Sequence, residues 1–181
     1  TNGNAGDYPV GGSALYIASC SPQITFCTFV GNTTESDNNV YGGALYIDNG
    51  SPVISRCVFN GNSAQGPHIK KGAAIYNYYS QPVIRQCVFT ENHAGCNMGA
   101  GGAIYNHMSD ALIIDSIFSS NSTGGCMSYG GAVYNSSSNP QIVNCIFYRN
   151  YASGNYISCG GAVYNESSSP VITNCSFAQN L

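Results

Sequence analysis

The chain has 181 residues, of which 7% are charged, and its five Lys plus Arg against eight Asp plus Glu give a net charge of −3. Ordinary soluble domains carry about 25% charged residues. So few basic residues cannot build the basic face that nucleic acid requires, and no apolar run approaches the about 18 residues of a membrane-spanning helix. A surface poor in charge and rich in Asn, Ser and Tyr suits a protein anchored or assembled outside the cell, because free cytosolic proteins carry more charge for solubility.

In chain order, one phrase recurs six times. It starts loosely as Ser13-Ala14-Leu15-Tyr16-Ile17 and becomes Gly-Gly-Ala-Leu-Tyr-Ile at 42–47 and Gly-Ala-Ala-Ile-Tyr-Asn at 72–77. It continues as Gly-Gly-Ala-Ile-Tyr-Asn at 101–106 and Gly-Gly-Ala-Val-Tyr-Asn at 130–135 and 160–165. The alanines at 14, 44, 74, 103, 132 and 162 are spaced by 30, 30, 29, 29 and 30 residues. A fixed period in the range of about 20 to 50 residues marks a repeat architecture.

Each copy continues at constant distance into Pro-x-Ile-x-x-Cys-x-Phe-x-x-Asn. Ile24, Ile54, Ile84, Ile113, Ile142 and Ile172 are followed by Phe29, Phe59, Phe89, Phe118, Phe147 and Phe177, then by Asn32, Asn62, Asn92, Asn121, Asn150 and Asn180. The cysteine column is Cys27, Cys57, Cys87, Ser116, Cys145 and Cys175. Length varies only between the Asn and the next Gly pair, which reads as a surface loop.

The phrases are rich in Ile, Val, Tyr and Phe and are bounded by Gly and Pro, which favours strand. Alternation along a strand puts Ile75, Ile104, Val133 and Val163 inside and sets the Ala and Tyr columns outside. Cys and Phe, two apart, share the inward face. The first Gly pair supplies a tight corner by positive φ, and Pro opens a strand without costing a ladder bond. Constant register means that each column stacks on itself. The expectation is an all-β parallel β-helix, a solenoid of about six coils of 29–30 residues starting near 12, 42, 72, 101, 130 and 160, with three short strands per coil and a single domain over 1–181. At about 4.8 Å per coil, Ile, Phe, Cys and Asn run as ladders along a rod.

The pairing of Gly-Gly-Ala-[Ile/Leu/Val] at 42–45, 101–104, 130–133 and 160–163 with Phe-x-x-Asn at 29–32, 59–62, 89–92, 118–121, 147–150 and 177–180 resembles the repeat of the chlamydial polymorphic outer-membrane proteins. The resemblance covers essentially the whole chain. It implies a right-handed β-helix at the cell surface, used in that family for adhesion. With no signal peptide or C-terminal barrel among these 181 residues, autotransport is not expected of them. Both ends fall at nearly the same phase of the repeat, Asn2-Gly3-Asn4 matching Asn60-Gly61-Asn62 and the last residues being Asn180-Leu181. This reads as part of a longer array, or as a joint at which coils stack end to end into a fibre.

Candidate sites are few. The column Tyr16, Tyr46, Tyr76, Tyr105, Tyr134 and Tyr164 forms an outward aromatic stripe for a partner chain or a glycan, or a self-stacking stiffener of the sheet. Inward cysteines pack as small hydrophobes. Cys96 and Cys126 sit in adjacent loops as a candidate disulfide, with Cys126–Cys159 the competing pair, and nine cysteines leave at least one unpaired. The soft ligands His68, His93, Cys96, Met98, Cys126 and Met127 scatter without a C-x-x-C pairing, so no metal or other cofactor is expected. Asn49 heads the best-placed glycosylation sequon. The acids do not line up in neighbouring coils, and Asp115 stands where later coils have Asn144 and Asn174. The expected function is therefore an extracellular or cell-surface structural or adhesive β-helix without a catalytic site. Its partners are a further copy end to end, or a host surface or glycan. The alternative is a carbohydrate-active β-helix, a polysaccharide lyase or hydrolase.

Overall fold

A computed structural model describes residues 10–181, with Cys96 described by its backbone alone. The repeat phase read from Asn2-Gly3-Asn4 lies outside the described residues. The chain winds as a parallel β-helix in which every strand pairs with the equivalent strand one coil away. The first sheet stacks Leu15–Ala18, Leu45–Asp48, Ile75–Tyr78, Ile104–His107, Val133–Ser136 and Val163–Glu166. The second runs from Gln23–Thr25 to Val171–Thr173 and the third from Thr28–Val30 to Ser176–Ala178, again with six strands each. Like pairs with like: Tyr16 with Tyr46, Ile24 with Ile54, Phe29 with Phe59.

The stretch between Asn and the Gly pair is not the surface loop expected of it. It forms a fourth sheet, from Thr33–Glu35 and Val40–Tyr41 through Ser63–Gln65 and Ile69–Lys71 to the long strands His93–Ala100, Ser122–Tyr129 and Tyr151–Cys159. A coil thus has more than three strands. Variation in loop length was absorbed by a bulge between Gly125 and Met127 and by the break in the second coil between Gln65 and Ile69, leaving the parallel ladder intact.

The interior is a set of columns. The Phe rings stack at centroid distances of 4.7–4.8 Å and within 6° of parallel. The Asn amides beside them are saturated: Asn92 Nδ2 donates to Phe59 O at 2.9 Å and to Asn121 Oδ1 at 2.8 Å, while its Oδ1 accepts from Asn62 N and Asn62 Nδ2. A second amide column, absent from the sequence reading, fills the first sheet. Asn77, Asn106, Asn135 and Asn165 are joined Nδ2 to Oδ1 at 2.7–2.8 Å. It ends where Ile47 lies beneath Asn77 in register, which leaves Asn77 Oδ1 buried without a donor.

The inward cysteines pack as expected. Cys57, Cys87 and Cys145 are buried free thiols, and burial pushes Cys87 up to about 11 and Cys145 up to about 12, so they stay protonated. Ser116 fits their column by taking Cys87 N–H on its Oγ and donating to Ile114 O. The alanines of the Gly-Gly-Ala phrase do not point out: Ala74, Ala103 and Ala132 belong to the main core, because each precedes its strand at a corner, where the two-residue alternation has not begun.

Four corners per coil carry one left-handed residue each. In the second coil these are Gly42, Asn49, Arg56 and Gly61, with φ of 75°, 52°, 54° and 61°. Only the column from Gly12 to Gly160 is glycine in every coil. A Cβ on Gly42 would meet Leu45 O at 2.1 Å, whereas one on Gly61 would meet nothing within 4 Å. The open corners therefore accept Glu91, Ser120, Arg149 and Gln179 in left-handed conformation. Each non-Gly corner costs about 1 kcal/mol of backbone strain, offset by the sheets it connects. Their side chains project outward, which explains the exposed Phe26, Tyr79 and Met108.

Candidate binding cleft on the tyrosine sheet

The tyrosine column points away from the main core, but it is not an exposed stripe. Tyr46, Tyr76, Tyr105 and Tyr134 are 3–4% exposed and form a second cluster with Ala100, Tyr41, Tyr78, Tyr129 and Tyr164. The cover is the residue that precedes each Gly pair. Tyr41, Lys71, Ala100, Tyr129 and Cys159 follow one another in register along the fourth sheet, which lies over the first. Where the equivalent residue is Gly11, Tyr16 stays 49% exposed. The surface-contact stripe of six tyrosines is thus reduced to Tyr16 and the half-buried Tyr164, because the supposed loop became a sheet.

The cover is thin over the early coils. There the fourth sheet is broken into short strands, of which Val40–Tyr41 and Ile69–Lys71 lead into the Gly pairs, and a cleft of about 670 Å³ opens between the sheets. Its walls include Tyr16, Tyr41, Tyr46, Tyr76 and Tyr78, with Asn38, Asn39 and His68 from the fourth-sheet side. The rings are stacked at 4.9 Å for Tyr16–Tyr46 and 5.3 Å for Tyr76–Tyr105, and tilted by 38° at 5.1 Å for Tyr46–Tyr76. Ring faces are spent on one another, so the floor offers ring edges and phenol groups. Burial pushes the Tyr46 and Tyr76 phenols up, which keeps them neutral donors. His107 lies flat against Tyr78 at 5.5 Å.

Three charges belong to this face. Asp48 Oδ2 accepts from the Tyr16 hydroxyl at 3.1 Å. Glu166 Oε2 accepts from Tyr134 at 2.9 Å and from Ser136 at 3.2 Å. The Lys71 ammonium lies 4.6 Å from the Tyr105 centroid and 5.7 Å from that of Tyr41, and burial pushes its pKa down. Asp48, Tyr78, His107, Ser136 and Glu166 occupy one column, so the two carboxylates are four coils, about 19 Å, apart. A glycosidase acid and base stand about 5 to 9.5 Å apart.

The other candidates are dispersed. Asp110 Oδ1 accepts Asn139 N–H, and Asp115 Oδ1 accepts Asn144 Nδ2 at 3.0 Å, so both serve coil-to-coil contacts, Asp115 from a left-handed corner. For the candidate Cys96–Cys126 disulfide, Cys126 is a free thiol at the bulge and the register sets Cys96 opposite Gly125. The Cys96 side chain lies outside the described residues. Cys159 faces Tyr129 and is free as well. Asn49 is exposed at its corner, whereas Asn121 is locked into the buried amide ladder. Among the described residues no three His, Cys, Asp or Glu side chains converge. His68 is at the cleft, and His93 holds Ser122 Oγ at 2.8 Å on the fourth sheet.

Burial pushes the His93 imidazole below its ordinary 6.5. Its neutral form is the native one, so its contribution is fully present above that value and is lost as pH falls below it. The melting temperature is expected to drop between about pH 7.5 and pH 5. His93→Gln should reduce that drop, and an unchanged drop in the variant would exclude His93 as the cause.

The model of the right-handed β-helix region matches residues 13–181. The chain belongs to the right-handed β-helix family. No curated protein and no solved structure matches it. For this right-handed β-helix, the family fixes the architecture and leaves function to the cleft, because a fold of this kind hosts unrelated activities.

Proposed function

We propose that this β-helix is a non-catalytic binding rod, displayed outside the cell or on its surface, that grips a partner chain or glycan in the tyrosine cleft. The observation that carries the reading is the cleft itself: about 670 Å³, floored by phenols, rimmed by Asn38, Asn39 and His68, with its face's carboxylates four coils apart. A concave site with a few convergent polar groups is the default place for a ligand. The ladders on either side hold the floor rigid, which reduces the ordering cost of binding. The likeness to polymorphic outer-membrane repeats and the scarcity of charge support a location at the surface.

A glycan array followed by calorimetry tests this. Binding is expected, and filling the mouth with Asn38→Trp should weaken it at least tenfold without lowering the melting temperature. Unimpaired binding in that variant would move the site elsewhere. New reducing ends released from a bound polysaccharide would replace the reading by the carbohydrate-active alternative.

A further inference from the structure

A half-buried cation faces this cleft. Lys71 reaches in from the Ile69–Lys71 strand, and its ammonium makes no hydrogen bond or ion pair among the described residues; its neighbours are the Tyr41 and Tyr105 rings. Aromatic faces attract a cation, but they supply no lone pair for its three N–H donors. Buried charges in folded proteins are ordinarily paired. Neither carboxylate of the face forms an ion pair with it. By register Asp48 and Glu166 each belong to a strand two coils from the Tyr105–His107 level, in opposite directions along the rod; hydrogen bonds draw the Glu166 carboxylate back to the Tyr134 level, from where its charge acts on Lys71 without contact. Each is already engaged by a tyrosine hydroxyl.

Phenol and imidazole groups line the wall beside Lys71. The Tyr76 phenol is kept neutral and the His107 Nδ1 is buried without a partner on the same wall. Lysine is also scarce: the chain has five Lys plus Arg in all, and Lys70, next to Lys71, is turned the other way to bind Ser36 O and Asn38 O. Lys70 therefore serves the fold, and Lys71 is left facing an open cavity.

We propose that Lys71 is the anchor for the carboxylate of an acidic sugar residue on the cleft's ligand, seated between Lys71 and the Tyr76 phenol. A carboxylate accepts several donors at once, and a charge-assisted bond to a half-desolvated ammonium is stronger than a neutral one. The inference rests on the cleft being the binding site. It adds which chemical group that site selects.

The test compares a hyaluronan hexasaccharide with the same hexasaccharide after reduction of its carboxyl groups to alcohols, titrated calorimetrically into the intact chain. The acidic form should bind at least tenfold tighter. Lys71→Met should erase the difference and Lys71→Arg should keep most of it. In the unsubstituted protein the Lys71 Cε and Nζ resonances should shift on adding the acidic sugar alone, a readout that needs no variant to fold. Equal binding of the two sugars, or a preference that survives Lys71→Met, would overturn the carboxylate anchor and leave the cleft as a binding site. If neither sugar binds, the anchor is overturned as well, even where an acidic peptide moves the Lys71 resonances. The glycan array with Asn38→Trp judges the cleft separately.

Discussion

Asn92→Ala is expected to cost about 4 kcal/mol. The residue sits midway along a saturated amide ladder, and truncating it strips partners from several buried groups at once. The Asn62 N–H and Asn62 Nδ2 lose their acceptor, and Phe59 O and Asn121 Oδ1 each lose a donor. Each buried polar group left unmade costs about 1 to 3 kcal/mol, and water cannot enter to replace the amide beside the stacked Phe59 and Phe89 rings. Partial relaxation of the coils keeps the total below the simple sum. Denaturant unfolding measures the loss. A less buried rung makes the control: Asn180 is half-buried, donates to Phe147 O and accepts from Asn150, so Asn180→Ala should cost less. Similar losses at 92 and 180 would show that the ladder acts locally, without help from its neighbours.

How much of this was legible beforehand follows from which features repeat at fixed spacing. The Ile, Phe, Cys and outer Asn columns were readable because their phrases keep one length, so that register could be counted. The inner amide column was readable too: residues 17, 47, 77, 106, 135 and 165 spell Ile, Ile, Asn, Asn, Asn, Asn, and the repeated Tyr-Asn ending displays it. The cleft was harder. It depends on the fourth sheet, whose strands vary in length and composition and carry little β-branched signal, as in Ser122–Tyr129 with its glycines at 124 and 125. Unequal length reads as loop, yet parallel pairing to the coil below was enough to order it. The clue was the residue before each Gly pair. Its sequence Gly11, Tyr41, Lys71, Ala100, Tyr129, Cys159 shows no chemical conservation along the rod, although it is one structural column. The same variation creates the site, since a ladder of identical covers would have closed it. Corners were illegible for a different reason. Left-handed φ at Arg56, Tyr79 or Met108 is set by the coil geometry, and no local preference of those residues announces it.

Gly131→Ala should destabilise by about 3 kcal/mol, the upper end for overpacking, and the reason separates the two glycines of the pair. Gly130 is needed for its φ of 61°, but Gly131 has no such requirement. What excludes a side chain at 131 is the neighbouring backbone: a Cβ would meet Gly161 O at 2.2 Å and Tyr151 N and C at 2.6 Å. Those atoms belong to the ladder and cannot swing aside as a flexible side chain would. The fold itself contains the comparison. Ala73 occupies this column in the third coil, where its methyl packs against Val40, Ala64 and Ala94, and its N–H reaches Gly101 O at 3.4 Å, against 3.0 Å for Gly131 N–H to Gly160 O. Accommodating one methyl thus stretches a hydrogen bond between coils and requires small neighbours. At 131 the adjacent backbone carries Tyr151, and Gly161 is stacked on Leu181. Ala73→Gly is accordingly expected to change stability by about 1 kcal/mol or less, lost packing being partly offset by relief of the stretched bond. Thermal unfolding of both variants decides the matter. Equal effects at 73 and 131 would mean that the column is governed by chain flexibility and that the approach of the coils is not what limits it.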